Sequence, residues 1–186
     1  MKTTTKNQEL ENKLLAQISI SFGAKNGLLA ATKELCKTIA EFGKFDWVEV
    51  WASNFEYSRM QLLNHFVAKP EDDIFYDYNP ELNMLELTHG LAGRVWNEKA
   101  QLLWGHDEIN NKFLRRDAAN KIGLKSMLGI PLILNDKVLG IIKVGTKHDT
   151  SYLKNYARIF KKLEGFIGSE LNRKKLENDL SHLFDA

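Results

Sequence analysis

The chain has 186 residues, 44% of them hydrophobic and 27% charged, and its formal net charge is +2 at pH 7. This length fits one domain with long flanking elements, and the composition is that of a folded rather than a disordered chain. The basic excess is too small to indicate a nucleic-acid partner, which usually requires a clustered basic surface.

A single cysteine, Cys36, excludes an internal disulfide framework and fits a reducing compartment. The N-terminal stretch lacks the uninterrupted apolar run of a signal peptide. No window of the sequence reaches the apolar length needed to span a bilayer. We therefore expect a cytoplasmic segment without membrane contact.

Two amphipathic helices are predicted at the N-terminal end. Residues 7–22 carry apolar side chains at steps of four, which is the spacing of one helical face. These side chains are Leu10, Leu14, Ile18 and Phe22. The second helix follows Gly23 and Gly27, and Gly43 is placed to end it.

Two strands are predicted in residues 46–53 and 59–68, where β-branched and aromatic residues alternate. Because these strands are close in sequence, they should pair as an antiparallel hairpin. Residues 69–89 hold two of the three prolines and a cluster of acidic residues, which predicts a long loop. Loops of this length are usually functional or mobile, and the aromatic residues in this one suggest that it folds back over the domain.

Short elements are predicted after the loop. We expect a helix in residues 91–99, a strand in 101–105 and a second helix in 113–121. The last two strands, residues 126–134 and 137–145, are almost continuously apolar, which predicts that both of their faces are covered.

Three residues characterise the final hairpin. Asn135 and Asp136 join its strands, and both residue types tolerate the positive φ of a tight hairpin turn. Pro131 lacks an N–H donor, so its strand should lie at an edge or contain a bulge at that point.

A long helix is predicted from about residue 152 to about residue 180, with Thr150 or Ser151 as its cap. At about 1.5 Å per residue it would be roughly 40–45 Å long, which is more than a domain of this size needs. Beyond Leu171 the helix becomes polar but keeps a thin apolar seam, which favours pairing with a partner helix. The seam consists of Leu176, Leu180 and Leu183.

Residues 90–145 resemble a GAF domain. The matching phrases occur in the family's order and are GLAGRVW at 90–96, FLRR at 113–116 followed by Ala118 and Ala119, GLKS at 123–126, IPL at 130–132 and VLGI at 138–141. The resemblance is greatest to GAF domains of bacterial sensor histidine kinases and related signalling proteins. It divides the chain into an N-terminal helix or linker (1–24), the GAF domain (25–170) and an exit helix (171–186) leading toward a downstream signalling domain.

The resemblance implies an α+β fold of the GAF type, which is related to PAS domains. The central antiparallel sheet would have five to six strands, with the N- and C-terminal helices on one face. The ligand pocket would lie on the other face, under the loop and short helices of residues 70–125.

Members of this family bind cyclic nucleotides, linear tetrapyrroles, haem or small metabolites. Cyclic-nucleotide binders carry an Asn-Lys, a later Phe and then an Asp-Glu signature. Here Asn111, Lys112 and Phe113 are present, but Asp107 and Glu108 precede them. Covalent tetrapyrrole attachment uses a cysteine in the helix bordering the pocket, and this region has none. The resemblance therefore leaves the cofactor unknown.

Another class within the family reduces free methionine sulfoxide with neighbouring cysteines. Thiol exchange needs an attacking and a resolving thiol, which Cys36 alone does not supply. We therefore expect a buried, inert cysteine and no enzymatic activity. The five histidines are widely separated, and no two have the spacing of zinc ligands on a helix.

Candidate ligand-binding residues lie in the covering segments, where the family places its cavity. Aromatic walls with a few polar groups suit small-molecule pockets, although the same side chains also serve to fill a core. One histidine in the set is a candidate haem ligand or hydrogen-bond donor, or simply a surface residue. The set is Tyr76, Tyr78, Trp96, Trp104, His106, Phe113 and Met127.

Four basic residues in or near these segments suit an acidic ligand, but a solvated helix face is the commoner use of such side chains. They are Arg94, Arg115, Arg116 and Lys125.

These features favour a sensory or regulatory domain of a bacterial signal-transduction protein, such as a histidine kinase, that binds an unknown small molecule. The alternative is a ligand-free dimerisation and relay module. Both interpretations predict a parallel homodimer formed through the helix at 7–22 and the exit helix.

Overall fold

The computed structural model describes residues 2–24, 27–53, 59–77 and 80–184. Six α-helices and six strands occur in these residues, together with two short 3-10 helices, Pro70–Tyr76 and Pro80–Asn83. The helices are α1 (Lys2–Ala24), α2 (Leu28–Gly43), α3 (Gly90–Glu98), α4 (His106–Lys112), α5 (Arg116–Ile122) and α6 (Thr150–Phe184). The strands are β1 (Trp47–Ser53), β2 (Arg59–Val67), β3 (Met84–Glu86), β4 (Leu102–Trp104), β5 (Ser126–Leu134) and β6 (Lys137–Thr146).

The strands form one antiparallel sheet in the order β3-β2-β1-β6-β5-β4. This confirms the expected α+β architecture and the hairpins β1–β2 and β5–β6. The edge strand β3 lies in the region predicted to be a loop. It pairs with β2 through only three residue pairs. Three residues are too few to show the alternation of apolar and polar side chains that predicts a strand.

Strand alternation divides the interior into two cores, one on each face of the sheet. Val48, Val50 and Ala52 face the helical core, which lies between the sheet and the terminal helices α1, α2 and α6. Trp47 and Trp51 face the covering core, which lies under α3–α5 and the first 3-10 helix. The prediction that the closing strands are covered on both faces is confirmed, because β5 and β6 contribute to both cores.

The final hairpin turns as predicted, with φ of 49° at Asn135 and 61° at Asp136. Although β5 lies inside the sheet, its pairing with β4 stops at Gly129. Pro131 therefore lies where one side of the strand has no neighbour, and a register shift follows between Leu132 and Ile133. The expectation of an edge-like position is therefore met at Pro131, and the register shift lies after the following residue.

The short helices differ from the prediction. The helix expected in residues 113–121 begins only at Arg116, and α4, which precedes it, was not predicted. Only Ile109 of α4 is buried, so the helix has no apolar stripe to indicate it. Its first turn is instead held by the Glu108 carboxylate, which accepts a hydrogen bond from the Gly105 N–H at 2.9 Å.

The exit helix α6 runs to Phe184, and its cap is Asp149 rather than Thr150 or Ser151. The Asp149 carboxylate accepts a hydrogen bond from the Ser151 backbone N–H at 2.9 Å, and hydrogen bonds from Ser151 lower the pKa of this carboxyl. Leu176 and Leu180 are 54% and 53% exposed. None of the described helices is long and apolar enough to cross a membrane.

Candidate functional site

Glu49 lies at the centre of β1, between the two tryptophans that face the covering core, and its side chain is fully buried. In the sheet it is the direct partner of Lys143 on β6 and of His65 on β2. The Lys143 Nζ atom lies 2.6 Å from Glu49 Oε2, and the lysine side chain is only 4% exposed. The antiparallel register therefore produces a buried ion pair in the middle of the sheet.

Arg115 brings a second cation to this carboxylate from the segment between α4 and α5. Its Nη1 atom lies 3.6 Å from Glu49 Oε1, and its side chain is 4% exposed. Its Nη2 group donates a hydrogen bond to Asn83 Oδ1 at 2.5 Å. We call Glu49, Lys143 and Arg115 the buried charge cluster.

Two aromatic side chains also donate hydrogen bonds to the Glu49 carboxylate. The Tyr76 hydroxyl donates to Oε1 at 3.0 Å, and the Trp51 indole N–H donates to Oε2 at 2.5 Å. On its other side the Tyr76 ring stacks on His65, with ring centroids 3.6 Å apart. His65 in turn pairs with Asp73 at the surface, so a chain of contacts runs from the buried carboxylate to the protein exterior.

Aromatic rings surround both cations of the cluster. The Lys143 Nζ atom lies 4.6 Å from the ring centre of Trp51, 5.2 Å from that of Trp47 and 5.6 Å from that of Phe113. The Arg115 guanidinium lies 5.4 Å from the Phe75 ring centre. Ring faces attract cations, so these contacts offset part of the free energy lost on burying the charges.

Burial and the Glu49 carboxylate set the ionisation of the neighbouring groups. Burial lowers the pKa of Lys143, while the adjacent Glu49 opposes that shift. Burial and the charge of Glu49 raise the pKa of the Tyr76 phenol well above its usual value. Tyr76 is therefore a neutral donor at physiological pH.

A small cavity adjoins the cluster. Its walls include Trp51, Leu85, Leu91, Phe113, Arg115 and Lys143, and the free space inside is about 10 Å³. That volume holds about one water molecule. Leu114, which is 41% exposed, lies beside Gly90 at the rim, so movement of this side chain would enlarge the opening.

The structure brings together only some of the predicted site residues. Tyr76 and Phe113 contact the buried charge cluster. Trp104 and Met127 are buried in the covering core, where they are partners between β4 and β5, but neither lines the cavity.

Two further predicted site residues, Trp96 and His106, do not line the cavity. Trp96 is partly buried at the margin of the covering core. His106 is exposed, its ring contacts Asn110, and it borders a separate open groove near Lys125 and Asp149. Tyr78 lies outside the described residues.

Sequence reasoning missed Glu49 and Lys143. The available signal was that Glu49 is the single charge of β1 and that Lys143 is the single charge of β6 after its first residue, Lys137. The interpretation of Arg115 as a solvated side chain is wrong, since it is 5% exposed. The same interpretation holds for Arg94, Arg116 and Lys125, which are exposed. The difference is that Arg115 precedes α5 and points into the fold, whereas its neighbour Arg116 points outward.

Cys36 lies in α2, in the helical core, so the sheet separates it from the buried charge cluster. It is fully buried, and burial raises the pKa of its thiol. The expectation of a buried cysteine is confirmed. Within the described part of the chain, no group of three or more His, Cys, Asp or Glu side chains is arranged to hold a metal ion.

No protein-family model matches the sequence, and no curated protein matches it. Solved structures match it closely in fold. The GAF domain of a phosphoenolpyruvate-protein phosphotransferase from Coxiella burnetii is 17% identical, with a TM-score of 0.70 over 91% of this chain and 96% of that one. The corresponding Acinetobacter GAF domain is 16% identical, with a TM-score of 0.69 over 91% and 97%.

An enzyme matches nearly as well. The free methionine-R-sulfoxide reductase from Neisseria meningitidis is 12% identical, with a TM-score of 0.68 over 90% of this chain and 91% of that one. Sequence identities this low establish the fold but do not establish an activity. The protein therefore has the fold of a GAF domain, which confirms the family resemblance of residues 90–145.

Proposed function

We propose that this domain is a sensory or regulatory input module of a bacterial signal-transduction protein, such as a histidine kinase, and that it binds a small molecule beside the buried charge cluster. The observation that carries the proposal is the cluster itself. Charged side chains in a core reduce stability relative to well-packed apolar ones, and strongly perturbed ionisable groups beside a cavity concentrate at functional sites. GAF domains often have such sensory roles.

The sheet offers a direct route from the cluster to the exit helix. Lys143 faces the cavity, while its neighbours Ile142 and Val144 on β6 face the helical core. On the same side, a side-chain atom added at Gly140 would lie 2.8 Å from Leu171 of α6. Ligand binding that shifts β6 would therefore shift the packing of α6, which acts as the two-state element of the relay.

Dimerisation through the terminal helices is part of the proposal. Leu10 on α1 and Leu176 and Leu180 on α6 are large apolar side chains exposed on the single chain. A parallel homodimer would cover them with the same residues of a second copy. The segment from residue 171 onward would then connect this domain to a downstream signalling domain.

A non-enzymatic role is supported by the position of Cys36. Reduction of a sulfoxide by thiol exchange needs two thiols that reach the substrate. The chain has a single cysteine, and it is buried on the opposite side of the sheet from the cavity.

A thermal-shift screen with a broad metabolite library tests the sensory proposal, since a ligand that binds the native state raises its Tm. The matched variant is Ala92→Leu, which adds volume to the cavity wall and changes no charge. Hits on the wild type that are lost in this variant support the proposal. A library without hits, with the variant as stable as the wild type, contradicts it.

The second candidate function is a ligand-free structural relay. The small volume of the cavity, about 10 Å³, favours it. This candidate predicts the same dimer but no ligand in the screen.

A further inference from the structure

The buried charge cluster carries an excess positive charge. Lys143 and Arg115 are two cations facing one carboxylate, that of Glu49, and Tyr76 is neutral because burial and Glu49 raise its pKa. Among the described residues, neither cation forms an ion pair with any other carboxylate. A buried charge without a counter-charge is unfavourable, so an anion bound beside these two cations would be stabilised.

Some N–H donors in and beside the cluster also lack a hydrogen-bond acceptor. The Glu49 oxygens already accept from Lys143, Trp51 and Tyr76. The Nη1 atom of Arg115 is 3.6 Å from Glu49, which is beyond hydrogen-bond length. The Arg115 Nε–H is buried and has no partner among the described residues, and the same is true of the Trp47 indole N–H.

Arg115 lines the cavity, and its side chain carries the unpartnered Nε–H. We propose that the ligand of this site is a small monoanion whose carboxylate accepts hydrogen bonds from Arg115 and balances the excess charge of the cluster. This inference rests on the sensory function proposed above. A guanidinium presents a planar fork that matches the two oxygens of a carboxylate.

The cavity also restricts the size and polarity of the part of the ligand beyond its carboxylate. Leu85, Leu91 and Phe113 supply apolar walls, which suit a short hydrocarbon group attached to the carboxylate. In this conformation the space holds about one water molecule. A larger anion therefore requires a lining side chain to move, and Leu114, which is 41% exposed, is the lining side chain least held by burial.

Titration of the full chain with formate, acetate, propionate and pyruvate tests the inference, with acetamide and propionamide as neutral isosteres. Chloride and inorganic phosphate serve as anion controls, and the ionic strength is held constant. Binding is followed by thermal shift and by the ¹⁵N chemical shift of the indole of Trp51, which lines the cavity and donates to Glu49. We expect the carboxylates to raise Tm and to shift the indole signal, and the amides to do neither.

Arg115→Met is the informative variant because it leaves Glu49 and Lys143 as a balanced pair. We expect it to fold and to weaken carboxylate binding about ten- to a hundredfold. Arg116→Met is the matched control, since this adjacent arginine is exposed, and it should bind as the wild type does. If Arg115→Met does not fold, the inference is decided by whether carboxylates, and not amides, shift the Trp51 indole signal of the wild type.

The other outcomes separate this inference from the proposed function. Equal binding of amides and carboxylates, or library hits confined to neutral compounds, overturns the anion inference and leaves the sensory function standing. Binding of phosphate or chloride without carboxylates overturns the carboxylate assignment. No response to any of these probes, together with a library without hits, contradicts both proposals.

Discussion

The Nζ atom of Lys143 lies 2.6 Å from Oε2 of Glu49, and the two residues are direct partners on adjacent antiparallel strands. Their side chains are 4% and 0% exposed. The pair thus lies on the same face of the sheet as Trp47 and Trp51 and within the covering core. This relationship organises the site, because Arg115 and Tyr76 both converge on the same carboxylate.

Lys143→Met should destabilise the domain by about 3 kcal/mol, because it leaves Glu49 buried without its nearest counter-charge. Urea unfolding followed by circular dichroism measures the loss. The double variant Glu49→Gln/Lys143→Met should be less destabilised than the sum of the two single variants. Arg94→Met, which breaks an exposed pair with Glu98, is the control and should change stability by at most about 1 kcal/mol. Additive effects of the two core substitutions would show that the pair is not coupled.

Gly140→Ala should destabilise the domain by about 1–3 kcal/mol through overpacking. The added Cβ would lie 2.5 Å from the Trp51 carbonyl oxygen and 2.8 Å from Leu171. Gly165→Ala on α6 is the matched control, since its Cβ would meet only the Ile133 carbonyl oxygen at 3.8 Å. We expect that change to stabilise the helix by about 0.5–1 kcal/mol. A neutral Gly140→Ala would mean that β6 and α6 do not pack tightly.

The free energy of unfolding of the Glu164→Gln variant should rise relative to that of the wild type as pH increases. Burial raises the folded-state pKa of Glu164 above 4.5, although the adjacent Lys161 opposes the shift. Between the unfolded and folded pKa values the folded state binds more protons, so wild-type stability falls with pH through that window. Glutamine does not titrate. The difference in unfolding free energy between variant and wild type, measured from pH 4 to pH 7, should increase, and a flat difference would contradict the burial of this carboxyl.

Leu176→Glu/Leu180→Glu should dissociate the proposed homodimer without lowering the stability of the single domain, since both side chains are more than half exposed. Sedimentation velocity measures the association state. Met84→Glu is the control because Met84 is 48% exposed and lies on the edge strand β3 rather than on a terminal helix. A wild-type chain that sediments as a monomer at high concentration would contradict the dimer.

Cys36 should resist alkylation in the native protein, because its thiol is buried and burial raises its pKa. Iodoacetamide labelling followed by mass spectrometry should modify it only when denaturant is present. The native protein should also fail to reduce free methionine sulfoxide in the presence of dithiothreitol. Rapid native labelling, or turnover that Cys36→Ser abolishes, would contradict the proposed non-enzymatic role.

Much of the fold was predictable because strands and helices have local periods. The apolar runs of β5 and β6, the Asn135-Asp136 turn and the stripe of α6 each follow from residues close together in sequence. The edge strand β3 and the helix α4 were not predictable, because each contributes a single buried residue, Leu85 and Ile109 respectively.

The candidate site was predicted only in part. The reason is not weak periodicity, as for β3 and α4, but the distance in sequence between the residues that form the site. Tyr76 and Phe113 were identified as aromatic residues of the covering segments, but the partners that give them a role are distant in sequence. Arg115 and Arg116 are adjacent and chemically identical, yet one is buried and the other exposed. Only the tertiary structure distinguishes them, because it places the Arg115 side chain beside Glu49 and leaves Arg116 exposed.

The sequence by itself determined the alternation that makes a sheet with two covered faces, and the phrases of residues 90–145 that identify the GAF fold. The tertiary structure decided that Glu49, Lys143 and Arg115 meet in one low-polarity site. The physical reason is that periodicity is a property of neighbouring residues, whereas the free energy of a buried charge depends on which distant side chains surround it.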